Sequence, residues 1–168
     1  AIDPALLSPV LASDETEVAV RGRRVLVPRL SRATPASSAP ARPWRPDTTV
    51  LITGGTGAVG AEVARHLVSE HGVTHLLLAS RQGDKATQAA DLLRELTDLG
   101  ATVRIAACDV ADRNALGALL AEIPTEHPLT GVVHAASVLD NDRGSAMTPG
   151  QLDAVLRSKA DAAWNLHQ

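Results

Sequence analysis

The feature that most constrains this chain is the run Val50-Leu51-Ile52-Thr53-Gly54-Gly55-Thr56-Gly57-Ala58-Val59-Gly60. Its apolar start suits a short buried strand, and the glycines that follow suit a tight turn that bulky side chains would obstruct. Residues 61–70 then place Val63, Ala64, Leu67 and Val68 at helical spacing. Strand, glycine turn and helix in that order make half of a βαβ unit. They also aim the backbone amides of a helix N-terminus at whatever sits above the turn.

The pattern repeats downstream. Leu76-Leu77-Leu78 reads as a second buried strand, and residues 85–99 as a helix with Leu92, Leu93, Leu96 and Leu99 on one face and Gly100 as its stop. Residues 103–107 give a third strand, and Asp112 caps a helix carrying Leu116, Leu119, Leu120 and Ile123. Residues 131–135 give a fourth strand. Thr148-Pro149-Gly150-Gln151 has capping-box spacing with proline at the first helical position, and opens a last helix running to the chain end. Such alternation implies right-handed crossovers and a parallel sheet covered on both faces. The expected fold is α/β, a Rossmann-type doubly wound parallel sheet, incomplete in this chain.

The upstream texture differs. Within residues 1–32, the runs 17–20 and 24–27 flank Arg21-Gly22-Arg23 and predict a β-hairpin that must pad a larger sheet. Residues 33–47 carry Pro35, Pro40, Pro43 and Pro46 among Ser and Ala, the composition of a linker, with Trp44 as a packing anchor. The expected division is therefore 1–32, 33–47 and 48–168.

Composition narrows the class. A chain of 168 residues suits one domain, and 45% hydrophobic against 21% charged residues supports a folded core. The net charge of −3, with no long basic block, argues against a nucleic acid partner. Cys108, the single cysteine, cannot form an internal disulfide and reads as a small core residue. No apolar run approaches the ~18 residues that span a bilayer, so a cytoplasmic protein with no membrane partner is expected. The 6 histidines lack metal-ligand spacing with one another or with Cys108, and no metal is expected. The start Ala1-Ile2-Asp3-Pro4 looks cut from something longer. Arginine in preference to lysine, with abundant alanine, hints at a GC-rich bacterial gene.

Five places carry chemistry. Gly55, Gly57 and Gly60 form G-x-G-x-x-G where a strand becomes a helix, the place where a dinucleotide pyrophosphate meets backbone amides; Gly54, Thr56 and Val59 complete that turn. At the end of the second strand an NAD site would carry a carboxylate for the ribose hydroxyl. Ser80 and Arg81 stand there instead, and they suit a 2′-phosphate, which favours NADP. After the third strand, Asp109 can accept from an adenine amino group with Val110 packed on the ring, while Asp112 is a helix cap. After the fourth, Ala135, Ala136 and Ser137 are small enough for a cofactor to approach the backbone. Finally, Lys159 falls on a stripe of Leu152, Leu156, Ala163 and Leu166. An inward lysine is costly unless it is paired or used, the alternative being one at the stripe's edge that snorkels to water.

With these residues in hand, the chain resembles the ketoreductase domains of modular (type I) polyketide synthases, in the complex short-chain dehydrogenase/reductase group. The likeness rests on residues 49–60, Leu77-Leu78-Ala79-Ser80-Arg81, residues 107–112, residues 133–140, and Lys159 followed by Ala162-Ala163-Trp164-Asn165-Leu166-His167. Residues 1–32 look like the end of the structural subdomain that precedes the catalytic one. The resemblance implies hydride transfer from NADPH to the β-keto group of an intermediate carried on the phosphopantetheine of an acyl carrier protein, among the other domains of the synthase. It assigns Lys159 as the catalytic lysine that supports a Tyr and the ribose. The chain has 0 tyrosines, and the family's Ser and Tyr positions fall after Gln168, so this stretch alone is expected to be inactive. Leu139-Asp140-Asn141 matches the Leu-Asp-Asp run of B-type ketoreductases with one carboxylate turned to amide, and implies substrate guiding toward a D-configured hydroxyl. The alternatives are an inactive structural reductase domain of a synthase, or another NADP-binding short-chain reductase.

Overall fold

The computed structural model describes residues 4–32, 44–139 and 146–168. Its contacts divide into two units, Ala1–Ala41 and Arg42–Gln168. In the first, a 3₁₀ turn at Pro4–Leu6 runs into α1 (Leu7–Leu11), neither of which has enough residues to show a periodicity in the sequence. The expected hairpin follows as β1 (Ala19–Arg21) and β2 (Arg24–Leu26), antiparallel, with Gly22 at φ +59° in the turn.

The second unit is built from β3 (Thr49–Thr53), α2 (Ala58–His71), β4 (His75–Ser80), α3 (Ala89–Asp98), β5 (Thr102–Ala107), α4 (Arg113–Ala121), β6 (Leu129–His134), α5 (Pro149–Leu156) and α6 (Ala162–His167). Among the described residues its sheet has 4 strands, all parallel, in the order β5-β4-β3-β6. β3 is buried along its whole length and divides the core by alternation. Val50 and Ile52 pack with Leu67, Leu78, Leu92 and Leu96 on one face; Leu51 packs with Leu77, Leu116, Leu119 and Ala162 on the other. Trp44 lies against the first cluster with its indole over Gly131 of β6, the packing expected of it. The chain leaves β3 toward β4 and returns on its other side as β6. Ligands of doubly wound sheets bind at such a reversal, beyond the carboxyl ends of the strands.

Two helices depart from the sequence reading. The helix expected over 85–99 begins at Ala89, because Gly83–Lys85 winds as a 3₁₀ turn and Ala86 is extended at ψ 138°. Its buried face is Ala89, Leu92 and Leu96, while Leu93 and Leu99 are exposed. The last helix is interrupted by a π turn at Arg157–Asp161. Its covered face is Val155, Ser158, Ala162, Asn165 and Leu166, so the expected inward stripe holds at Leu166 and fails elsewhere: Leu152, Leu156, Lys159 and Ala163 are exposed. The cause is chemical. This helix meets loop backbone as well as the core, so the covered face carries Ser158 and Asn165, whose side chains bond to the Val138 N–H and to the carbonyls of Val110 and Ala111.

Local caps behave as expected. Thr148 and Gln151 form a reciprocal capping box at α5. Asp112 accepts from the N–H groups of Asn114 at 2.9 Å and Ala115 at 3.1 Å. Asp112→Ala is expected to cost about 1 kcal/mol of stability, read as a lower urea midpoint at unchanged m-value.

Candidate nucleotide site and family

The glycine turn closes by short backbone bonds. Gly54 N–H donates to Ala79 O at 2.7 Å, and Gly57 N–H to Gly54 O at 2.9 Å. Gly57 is the extended N-cap of α2 and supplies no side-chain cap, so the first amides of the helix face the cleft without an internal acceptor from that residue. Gly54 sits at φ +67°, and a Cβ there would lie 2.7 Å from the Ala136 backbone nitrogen. At Gly60 a Cβ would lie 2.2 Å from Gly54 O. Gly55 and Gly60 are buried behind the turn, whereas Val59 is exposed.

Above the turn lies an open cleft of about 850 Å³ lined by Gly54, Thr56, Gly57, Ser80, Arg81, Ala135, Ala136 and Ser137, all expected from the sequence. Gln82, Thr87 and Gln88 line it too. Sequence reasoning missed Thr87 and Gln88 because it assigned 85–99 to a helix, which hid a polar connection running along the cleft. Ser80 Oγ accepts from the Thr56 hydroxyl at 2.9 Å and from Gly83 N–H at 3.0 Å, which leaves its own proton to donate.

A second, smaller cleft of about 90 Å³ shares Arg81 and Ser137 with the first and contains Asp109 and Val110. Asp109 Oδ1 accepts from Ala111 N–H at 3.1 Å, and Oδ2 accepts from Arg157 Nη2 at 2.9 Å. The hydrogen bond from Arg157 holds the Asp109 carboxyl below its ordinary range, against a smaller opposing effect of burial. Asp109 is thus an ionised acceptor. Arg157 escaped the sequence reading, since nothing in its neighbours shows that α5 and the β5–α4 loop converge. Cys108 is buried, and desolvation first, then Asp109 and Asp112, push its thiol pKa up.

Lys159 stands exposed in the π turn, next to Ser158. Leu139 is exposed as well; Asp140 and Asn141 lie outside the described residues. Among the described residues no group of three or more His, Cys, Asp or Glu could hold a metal ion, and no helix is long and apolar enough to cross a membrane.

Compared with known protein families, residues 48–168 match the KR domain. The chain belongs to this family, the ketoreductases of modular polyketide synthases. Ketoreductase domains are NAD(P)-binding reductases of Rossmann type. The chain is 54% identical over 155 residues to polyketide synthase GfsA of Streptomyces halstedii, covering 92% of this chain and 2% of that protein. It is 53% identical over 162 residues to the spectinabilin polyketide synthase system protein NorA′ of Streptomyces orinoci, covering 96% of this chain and 4% of that protein. Among solved structures, A-type ketoreductases from a modular polyketide synthase match at a TM-score of 0.78 and 50% identity, over 91% of this chain and 32% of that one. The first ketoreductase of the tylosin synthase matches at 0.74 and 41%, over 97% of this chain and 35% of that one. The chain therefore spans about a third of these ketoreductase structures and a few per cent of the synthases.

Proposed function

We propose that residues 48–168 are the N-terminal part of the catalytic subdomain of an NADPH-dependent β-ketoacyl reductase, with 1–32 the end of its structural subdomain and 33–47 a linker. Its substrate is a β-ketoacyl thioester on the phosphopantetheine of an acyl carrier protein, and it works in the cytoplasm beside the other domains of a synthase. The observation that carries this reading is the single cleft in which the glycine turn, Ser80, Arg81 and the small residues 135–137 meet. The close approach of Gly54 to the Ala136 backbone, and the N-terminus of α2, fit a dinucleotide diphosphate.

When bound, NADPH supplies the hydride that reduces the ketone. This chain's residues hold and orient it. The α2 amides face the diphosphate; Arg81 and the free proton of Ser80 take the 2′-phosphate, where a carboxylate would repel it. Asp109, kept ionised by Arg157, accepts from the adenine amino group while Val110 packs on the ring. Lys159 supports the proton-donating tyrosine and the ribose.

Arg81→Ala is expected to weaken NADPH binding by about 1.5–3 kcal/mol, the worth of a charge-assisted contact, and to leave NADH nearly unaffected. Fluorescence titration of both cofactors reads the difference, and an equal loss for the two removes Arg81 from the 2′-phosphate. The run Leu139-Asp140-Asn141 favours a D-configured hydroxyl, whereas the 50%-identical structures are of A-type ketoreductases. Chiral chromatography of the alcohol from a diketide thioester decides between the two.

A further inference from the structure

His134 ends β6 just before the loop that floors the cleft, and its imidazole joins two other elements. Nδ1 lies 2.6 Å from Thr53 Oγ1 at the end of β3, and Nε2 lies 3.2 Å from the carbonyl oxygen of Ser158 inside the π turn. The π turn explains why that carbonyl takes an outside partner. In an α-helix it would accept from the N–H of Ala162, four residues on. Here that N–H donates to the carbonyls of Arg157 and Lys159 instead.

The contact with Ser158 fixes one proton: a carbonyl oxygen only accepts, so Nε2 carries a hydrogen, and when Nδ1 carries none it accepts from the Thr53 hydroxyl. Thr53 Oγ1 in turn accepts from Ala136 N–H at 3.4 Å. Ser158 makes a second link, its Oγ accepting from Val138 N–H at 3.2 Å and donating to Val155 O at 3.0 Å. The cleft loop and the π turn are thereby stapled together at two points, and Lys159 is the next residue after Ser158.

We propose that His134 is a positioning residue for ketone reduction: through its Nε2–H it keeps the π turn open at Ser158 and so sets the direction in which Lys159 leaves the helix. The inference rests on Lys159 being the catalytic lysine. Without the Nε2 donor, the Ser158 carbonyl regains a partner when the turn rewinds to an ordinary α-helix. Removing one residue's worth of bulge rotates what lies on either side of it by about 100° relative to the other, enough to swing the ammonium away.

The test uses an intact ketoreductase domain carrying this sequence. His134→Gln keeps a donor near the Nε2 position, and His134→Asn, too short to reach Ser158, does not. The Asn variant is expected to lower kcat by about 10- to 100-fold with the Kd for NADPH within about twofold of the parent. The Gln variant is expected to recover most of that rate. A role in stability alone would lower the melting temperature of both variants without this split in kcat, and would overturn the proposal. So would an Asn variant of unchanged kcat in a domain that Lys159→Ala impairs. If Lys159→Ala leaves kcat unchanged, it is the lysine assignment that has failed. A long-range ¹H–¹⁵N correlation spectrum of the parent domain is independent of how the variants fold: the Nε2–H tautomer is expected, and an Nδ1–H tautomer overturns the proposal.

Discussion

Lys159→Ala, in an intact domain, is expected to lower kcat by about 10²–10⁴-fold, the range that a misplaced acid–base group costs, while NADPH affinity changes far less. The resemblance places this ammonium beside the phenol that protonates the reduced ketone. A cation there favours the phenolate, lowers the phenol's pKa and steadies the developing alkoxide. Removing the charge reverses the sign, so the apparent pKa of the proton donor in the kcat/KM profile should rise. Stopped-flow reduction of a diketide thioester across pH reads both effects. A variant that binds NADPH poorly but turns over normally at saturation would make Lys159 a ribose contact and nothing more. The exposure of Lys159 is compatible with this role: a group that must reach cofactor and phenol stands where two ligands can meet it, not sealed in the core.

The sheet was legible because its strands are short apolar runs with glycine or helix signals on either side, and burial on both faces leaves few other ways to arrange Val50-Leu51-Ile52 and Leu76-Leu77-Leu78. The glycine turn was equally legible, since its residues answer to backbone geometry that is local in the sequence. The Lys159 helix was misread for the opposite reason. Its periodicity pointed Leu152 and Leu156 inward, yet Ser158 and Asn165 share the covered face with Val155, Ala162 and Leu166. Where a helix packs on loop backbone, donors such as Asn165 are worth more than methyl groups, and hydrophobic period ceases to mark the inner face. Contacts distant in sequence stayed hidden as well. Nothing near Asp109 announces Arg157, 48 positions away, nor does anything near His134 announce Ser158, 24 positions away.

Gly54→Ala is expected to abolish NADPH binding and to lower the unfolding free energy by at least ~3 kcal/mol, the range of mutations that force strain at a special backbone conformation and overpack a closed site. Two effects add. The first is conformational: φ +67° lies in the left-handed region, where an L side chain costs about 1 kcal/mol or more. The second is steric, because the new Cβ would sit 2.7 Å from Ala136 N and 2.8 Å from both Ala135 C and Ala136 Cα, all of them backbone. No rotamer change relieves that overlap, so either the loop after β6 or the start of the glycine turn must move, and both segments line the cleft. Gly72→Ala separates the two effects. Gly72 has nearly the same φ, +65°, but its added Cβ meets nothing within 4 Å, so it should lose only the conformational part and bind NADPH as the parent does. Urea unfolding and NADPH titration of the two variants give the contrast. Equal destabilisation with binding retained in both would mean that the approach of Gly54 to Ala136 is incidental, and that the glycine serves the turn alone.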